Sequence, residues 1–182
     1  MDAWVWVVIA IAAIVVVAVA AYSAVRARRR RTLQEGFGPE YDRAVAEAPS
    51  RREAEEELRE RRERHDEFEL RPLEREARAR YVREWEATQA RFVDDPVAAV
   101  GEADDLIQQV MRDRGYPIED FDQRAADLSV DHPELVENYR AGHAISRSAL
   151  HDEAKTEDLR QAMVHYRSLF EELLETRERS EA

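Results

Sequence analysis

The sequence predicts an all-α fold: an N-terminal transmembrane helix, a charged helical stalk and a small helical bundle. Three observations predict it. Ala3 to Val25 contains no charged residue. Further on, apolar side chains recur at three- and four-residue spacing between well-marked caps and stops, and no segment alternates with the two-residue period of a strand. Of the 37 large apolar residues after position 31, 30 fall between Leu73 and Leu174, so the compact core is expected there and the chain before it is expected to be a spacer. The organisation read this way is an anchor with a basic juxtamembrane cluster over residues 1–31, a stalk over 32–72 and a bundle domain over 73–182.

The 23 uncharged residues from Ala3 to Val25 would form a helix about 35 Å long, enough to cross a hydrocarbon core of about 30 Å with modest tilt. Trp4 and Trp6 near one end and Tyr22 near the other stand where interfacial aromatic residues belong. Arg26, Arg28, Arg29, Arg30 and Arg31 follow at once, whereas the N-terminal flank carries Asp2 and the terminal amine. Positive charge stays inside, so the expected topology is single-pass at the inner membrane, N-terminus outside and the C-terminal domain cytoplasmic. The same arginines are expected to attract anionic lipid head groups at about 1 kcal/mol per residue. A competing expectation is export after cleavage of a signal peptide, since Ala18-Val19-Ala20 offers small residues at a suitable spacing. An n-region without Lys or Arg and an overlong apolar run oppose it. Ala20 and Ala24 form a small-xxx-small pair through which two copies would self-associate as a homo-oligomer.

In the stalk, Gly38-Pro39 is expected to open a short helix with Tyr41 and Val45 on one face, stopped by Pro49. Ser50 with Glu53 reads as a capping box. Glu55 with Arg59, Glu57 with Arg61 and Glu60 with Arg64 are favourable i,i+4 pairs of the helix that follows, which Pro72 is expected to close. Leu58 is its single large apolar residue between 46 and 67, so this helix is expected to project through solvent or lie loosely on the domain.

The bundle helices follow from period and punctuation. Leu73, Ala77, Tyr81, Trp85, Gln89 and Phe92 mark one face of a helix ending before Asp94. Asp95 caps the next and Pro96 suits its first position; Val97, Val100, Asp104, Ile107 and Met111 share its face, and Gly115 with Pro117 ends it. A short helix is expected over Asp120 to Asp127. Another begins at Pro133, capped by Asp131 or His132, with Leu135, Val136, Tyr139 and His143 inward. Thr156 is expected to cap the last, on which Leu159, Met163, Tyr166, Phe170, Leu173 and Leu174 form an apolar stripe that must pack on the domain or a partner. Trp85, Phe92, Tyr116, Tyr166, Leu169 and Phe170 are the large anchors of either core or interface.

Composition narrows the chemistry. Without cysteine there is no disulfide framework, cysteine nucleophile or thiolate metal site. The sole lysine, Lys155, lies in no glycine-rich stretch, and Gly36-Phe37-Gly38 lacks the third glycine and preceding strand of a dinucleotide fingerprint, so nucleotide chemistry is not expected. Net charge is −12; residues 1–31 carry +4, which leaves −16 on the remainder, so no nucleic-acid partner is expected. The five histidines form neither Glu-x-x-His nor His-Glu-x-x-His, and no metal or cofactor is expected.

The densest polar constellation, Arg124, Asp127, Asp131, His132, Arg140 and His143 with Ser129, Glu137 and Tyr139 among them, reads first as helix caps and structural pairs and next as a partner surface. Ser129, Asp131 and His132 are too close in sequence to build a triad easily. The alternative is an enzyme or small-ligand binder with a pocket around Asp127, Asp131, His132, Arg140 and His143. Asp94-Asp95 and Asp104-Asp105 lack a calcium-loop pattern.

Four strings, Phe37 to Arg43 (FGPEYDR), Arg91 to Pro96 (RFVDDP), Arg114 to Pro117 (RGYP) and Arg124 to Pro133 (RAADLSVDHP), resemble an uncharacterised bacterial family of single-pass, membrane-anchored helical proteins from high-GC organisms. The resemblance implies an anchored helical protein and brings no activity or catalytic residue. Anchor, spacer and distal domain without a recognised catalytic constellation lead to the expectation of a protein-interaction or scaffold module rather than an enzyme.

Overall fold

The computed structural model describes residues 3–151 and 153–175. Among these the chain is all-α, with eight helices: α1 Ala3–Phe37, α2 Pro39–Glu47, α3 Arg51–His65, α4 Arg75–Arg91, α5 Pro96–Arg114, α6 Phe121–Asp131, α7 Val136–Ala149 and α8 Thr156–Glu175. The chain separates into two compact units, Met1–Arg59 and Glu60–Ala182. The division falls inside α3.

In the first unit, α1 does not stop at the arginines. Arg, Leu, Gln and Glu are good helix formers, and α1 runs through them to Phe37, where Gly38 turns the chain at φ 45° and Pro39 opens α2. α1 is long and apolar enough to cross a membrane, with mean hydropathy 1.8 in a stretch that begins at or after Ile11 and has no buried residue. The next turns differ. Leu33, Phe37, Tyr41 and Ala44 are buried, as are Ala54, Glu55 and Leu58 on α3. The Tyr41 hydroxyl donates to Glu55 Oε1 at 2.9 Å, joining α2 to α3. A helix projecting through solvent would not bury Leu58 completely, so the first part of the expected stalk is packed structure. Ser50 Oγ accepts from Glu53 N at 3.3 Å, the capping half of the expected box. Of the anticipated i,i+4 pairs, Glu55 turns instead to Tyr41, and Arg59 pairs with Glu56 at 2.6 Å.

In the second unit, α5 packs against α4, α7 and α8, while α8 also packs along α7. Trp85 of α4 stacks on Phe170 of α8 with ring centroids 4.7 Å apart. Tyr116, Tyr166 and Leu169 are buried beside them in one apolar cluster, so these anchors belong to the core. Asp95 Oδ1 accepts from Ala98 N and Gly115, at φ 96°, ends α5 left-handed, as the punctuation predicts. Gln89 and Val97 are exposed rather than on the packed face expected for them, and Thr88, one residue before Gln89, is buried on α4.

Two boundaries also moved. α3 ends at His65, and residues 66–74 run as an irregular strap with Phe68, Leu70 and Leu73 against the core. Arg71 holds this strap by donating its backbone N–H to the Arg114 carbonyl at 2.8 Å and its Nε to the Asp113 carbonyl at 2.9 Å. Those contacts satisfy peptide groups that a helix continued to Pro72 would have paired internally. The last boundary is at α8, where Thr156 is the first helical residue. Lys155 occupies the cap position, and its N–H donates to Asp158 Oδ2 at 2.9 Å.

Gly115 and Gly142 are irreplaceable for different reasons. A Cβ on Gly115 would lie 2.5 Å from the Glu69 carbonyl oxygen on a left-handed backbone, and one on Gly142 would lie 2.9 Å from the buried Tyr166 ring. Gly115→Ala is expected to cost upward of about 2 kcal/mol and Gly142→Ala about 1–3 kcal/mol. Gly101→Ala, mid-helix with open space around it, should gain about 0.5–1 kcal/mol. Thermal unfolding of the three full-length variants checks the ranking.

Candidate functional site

The polar constellation around residues 124–143 is built on α6, its C-terminal turn and α7. α6 is about three turns from cap to cap: Asp120 Oδ1 accepts from Gln123 N at 2.9 Å and the helix continues to Asp131. Asp131 and His132 therefore end α6 rather than open the next helix, and α7 begins only at Val136 after a turn closed by Leu135 N–H to the His132 carbonyl. Pro133 cannot supply a helical N–H, and the chain spends three residues reorienting.

Each of the six side chains has its own neighbour. Arg124, buried, donates its Nε to the Tyr139 hydroxyl at 3.2 Å and a terminal nitrogen to the Glu119 carbonyl. Asp127, fully buried, accepts from Gln123 Nε2 at 2.9 Å and faces Arg64 Nε at 3.5 Å. Burial pushes its carboxyl above the ordinary value, against the Gln123 hydrogen bond and the Arg64 charge. Asp131 Oδ2 meets His65 Nε2 at 2.7 Å and accepts from the Tyr116 hydroxyl at 2.5 Å. His132 Nδ1 lies 3.7 Å from Glu172, Arg140 4.0 Å from Glu137, and His143 Nδ1 3.9 Å from Asp104 Oδ1 with its ring stacked on Phe121 at 3.7 Å. Among the described residues no group of three or more His, Asp or Glu is arranged to hold a metal ion.

Two networks had no clear sequence signal. One ties the end of α3 to α6: Arg64 reaches Glu119 at 3.2 Å as well as Asp127, while His65 reaches Asp131. The other is a buried knot where α5, α7 and α8 meet. Tyr166 is fully buried and its phenol pushed above the ordinary value by burial and by the adjacent Asp104; Tyr139, likewise buried near Asp104, is pushed up to about 12. The sequence places Asp104 on the apolar face of α5 but does not show its partners. Its burial depends on α7 and α8, which lie more than thirty residues away in the chain.

The juxtamembrane arginines divide into two sets. Arg26, Arg29 and Arg30 line a groove of about 320 Å³ on the first unit together with Arg52 and Arg59 of α3, whereas Arg28 and Arg31 lie outside it.

The His65 and Asp131 pair has a defined pH window. The hydrogen bond to Asp131 raises His65 above its ordinary value against the pull of burial. At Asp131 burial raises the carboxyl, but hydrogen bonds from His65 and Tyr116 outweigh it and leave it lowered. A raised histidine contributes fully below its unfolded value and loses that contribution as pH rises through the folded one. A lowered carboxylate contributes above its unfolded value and loses it as pH falls through the folded one. The pair is therefore most stabilising between about pH 4 and pH 6.5. His65→Gln is expected to cost about 1–2 kcal/mol near pH 5.5 and less than half of that near pH 8.5. Urea unfolding at the two pH values checks this, and an equal cost at both would mean that His65 acts only through its ring contacts with Phe68 and Tyr116. No protein family, curated protein or solved structure matches the chain.

Proposed function

We propose that the chain is a single-pass protein of the inner membrane, N-terminus outside, whose cytoplasmic helical bundle works by binding another protein, as an interaction or scaffold module rather than an enzyme. The observation that carries the reading is α1 itself. Its apolar residues from Ile11 to Val25 are all exposed, and five arginines follow on the same unbroken helix. Immersing the eight large apolar side chains of that stretch is worth on the order of 10 kcal/mol, and no element among the described residues covers them. The arginine asymmetry supports the direction.

Binding is supported by the fate of the polar constellation. Arg124, Asp127, Asp131 and His143 are engaged with separate neighbours on α3, α5 and α7, an arrangement that suits structural pairing better than a reaction centre, which needs nucleophile, base and a donor for developing charge within reach of one atom. Exposed Val82, Val93, Val97 and Val164 offer apolar contact points on the second unit. An acidic body bearing −16 beyond residue 31 would hold the bundle away from an anionic leaflet and from nucleic acids. The likeness to the anchored bacterial family carried by the FGPEYDR, RFVDDP, RGYP and RAADLSVDHP strings agrees with this reading: three of the strings fall at the turns that join α1 to α2 and α4 to α5 and that end α5, and the fourth covers most of α6 and its C-terminal turn.

The absence of cysteine makes the topology test clean. Val93→Cys, at a site 83% exposed in the turn after α4, should react with a membrane-impermeant maleimide only after lysis and should remain in the membrane fraction. Labelling in intact cells, or a shortened soluble product, would overturn the cytoplasmic anchor in favour of export. Capture of the full-length chain from gently solubilised membranes should return a stoichiometric protein partner or a second copy, and recovery of the monomer alone would remove the interaction role.

A further inference from the structure

The groove of the first unit has two chemically different ends. Tyr22 and Val25 belong to the last turns of the apolar run of α1 and stand half or more exposed. Beyond them come the guanidinium groups of Arg26, Arg29, Arg30, Arg52 and Arg59, against the carboxylates of Glu55 and Glu56. The local excess is thus +3. Neither carboxylate is idle: Glu55 accepts from the Tyr41 hydroxyl at 2.9 Å and Glu56 is paired with Arg59 at 2.6 Å. Arg26 and Arg29 are left with no carboxylate partner among the described residues, and half-buried Arg30 keeps its Nε without a hydrogen-bond partner. Arg52 of α3, unlike Arg59, is in no ion pair among the described residues, and it is far from the juxtamembrane cluster in sequence although the fold brings it to the same groove.

We propose that this groove binds the head group of an anionic phospholipid carrying a phosphomonoester, with acyl chains beside Tyr22 and Val25 and the phosphate among Arg26, Arg29 and Arg52. A phosphomonoester presents nearly two negative charges and three acceptor oxygens, which suits several forked guanidinium donors better than the single charge of a phosphodiester. The apolar end favours a lipid over free phosphate, because a soluble anion has nothing to place against Tyr22 and Val25. The inference rests on the reading of α1 as a membrane helix, but not on its direction, since the groove adjoins whichever leaflet follows Val25. It differs from diffuse attraction of a polybasic segment in being a site with an inside and an outside. Arg29 and Arg52 line it, whereas their sequence neighbours Arg28 and Arg51 do not.

That pairing sets the test. The full chain in neutral detergent is titrated with phosphatidic acid, phosphatidylglycerol, phosphatidylcholine or inorganic phosphate and followed by native mass spectrometry. Phosphatidic acid should bind saturably, one per chain, ahead of phosphatidylglycerol, with phosphatidylcholine far behind. Arg29→Gln and Arg52→Gln should each weaken it by about tenfold, while Arg28→Gln and Arg51→Gln, with the same loss of charge, should leave it unchanged. Equal effects from all four substitutions, or binding without saturation, would overturn the site in favour of diffuse electrostatics. Inorganic phosphate binding as tightly as the lipid would overturn the lipid assignment. Flotation with pure phosphatidylcholine vesicles separates the two levels: a chain that fails to insert removes the membrane reading, whereas one that inserts but shows no phosphatidic acid preference removes only this proposal.

Discussion

From Ile11 to Val25 every side chain of α1 is exposed, and the described chain offers it no apolar surface in return. Leaving so much apolar surface in water is unfavourable. Because α1 then continues without a break into Arg26 to Arg31 and on to buried Leu33 and Phe37, the same rod runs from an uncovered apolar segment through a charged belt into packed protein. The position of the groove follows: its lining spans the junction between the apolar run and the first packed turn.

The second unit is governed by a different balance. α5 is buried along most of its length, with Val100, Ile107, Val110 and Met111 fully enclosed, yet it also carries Asp104 and Arg114 inward. Arg114 satisfies part of its fork on the Leu173 carbonyl at 3.2 Å and lies over the Tyr116 ring. It thereby joins the ends of α5 and α8 as well as the strap beneath them. Asp104 accepts from Gln108 at 2.8 Å and faces His143 and Tyr166. Buried polar groups of this kind cost stability unless paired, and they also restrict how the helices can pack.

Most helices were legible because their signals are local. Asp95-Pro96 and Gly115 act on peptide groups within one turn, and the apolar stripe of α8 needs only its own spacing. Errors gathered where a distant partner outweighs local preference. The Glu/Arg helix reads as solvated because Leu58 is its single large apolar residue, yet Leu58 is fully buried; it reads as continuing to Pro72, yet the strap is held by the backbone of Asp113 and Arg114. Asp131 reads as a cap because Pro133 follows it, yet its carboxylate is taken by His65, 66 residues earlier.

The sequence by itself determined the helical class, the uncharged apolar run, the arginine cluster beyond it and the acidity of the remainder, since periodicity, hydropathy and charge are sums over neighbouring residues. Only the tertiary structure decided that the spacer is divided between two packed units, that Arg52 joins Arg26 and Arg29 while Arg28 and Arg51 do not, and that His65, Tyr116 and Asp131 meet. Those outcomes depend on which faces meet after the chain has turned back on itself, and a side chain carries no local mark of a partner dozens of residues away.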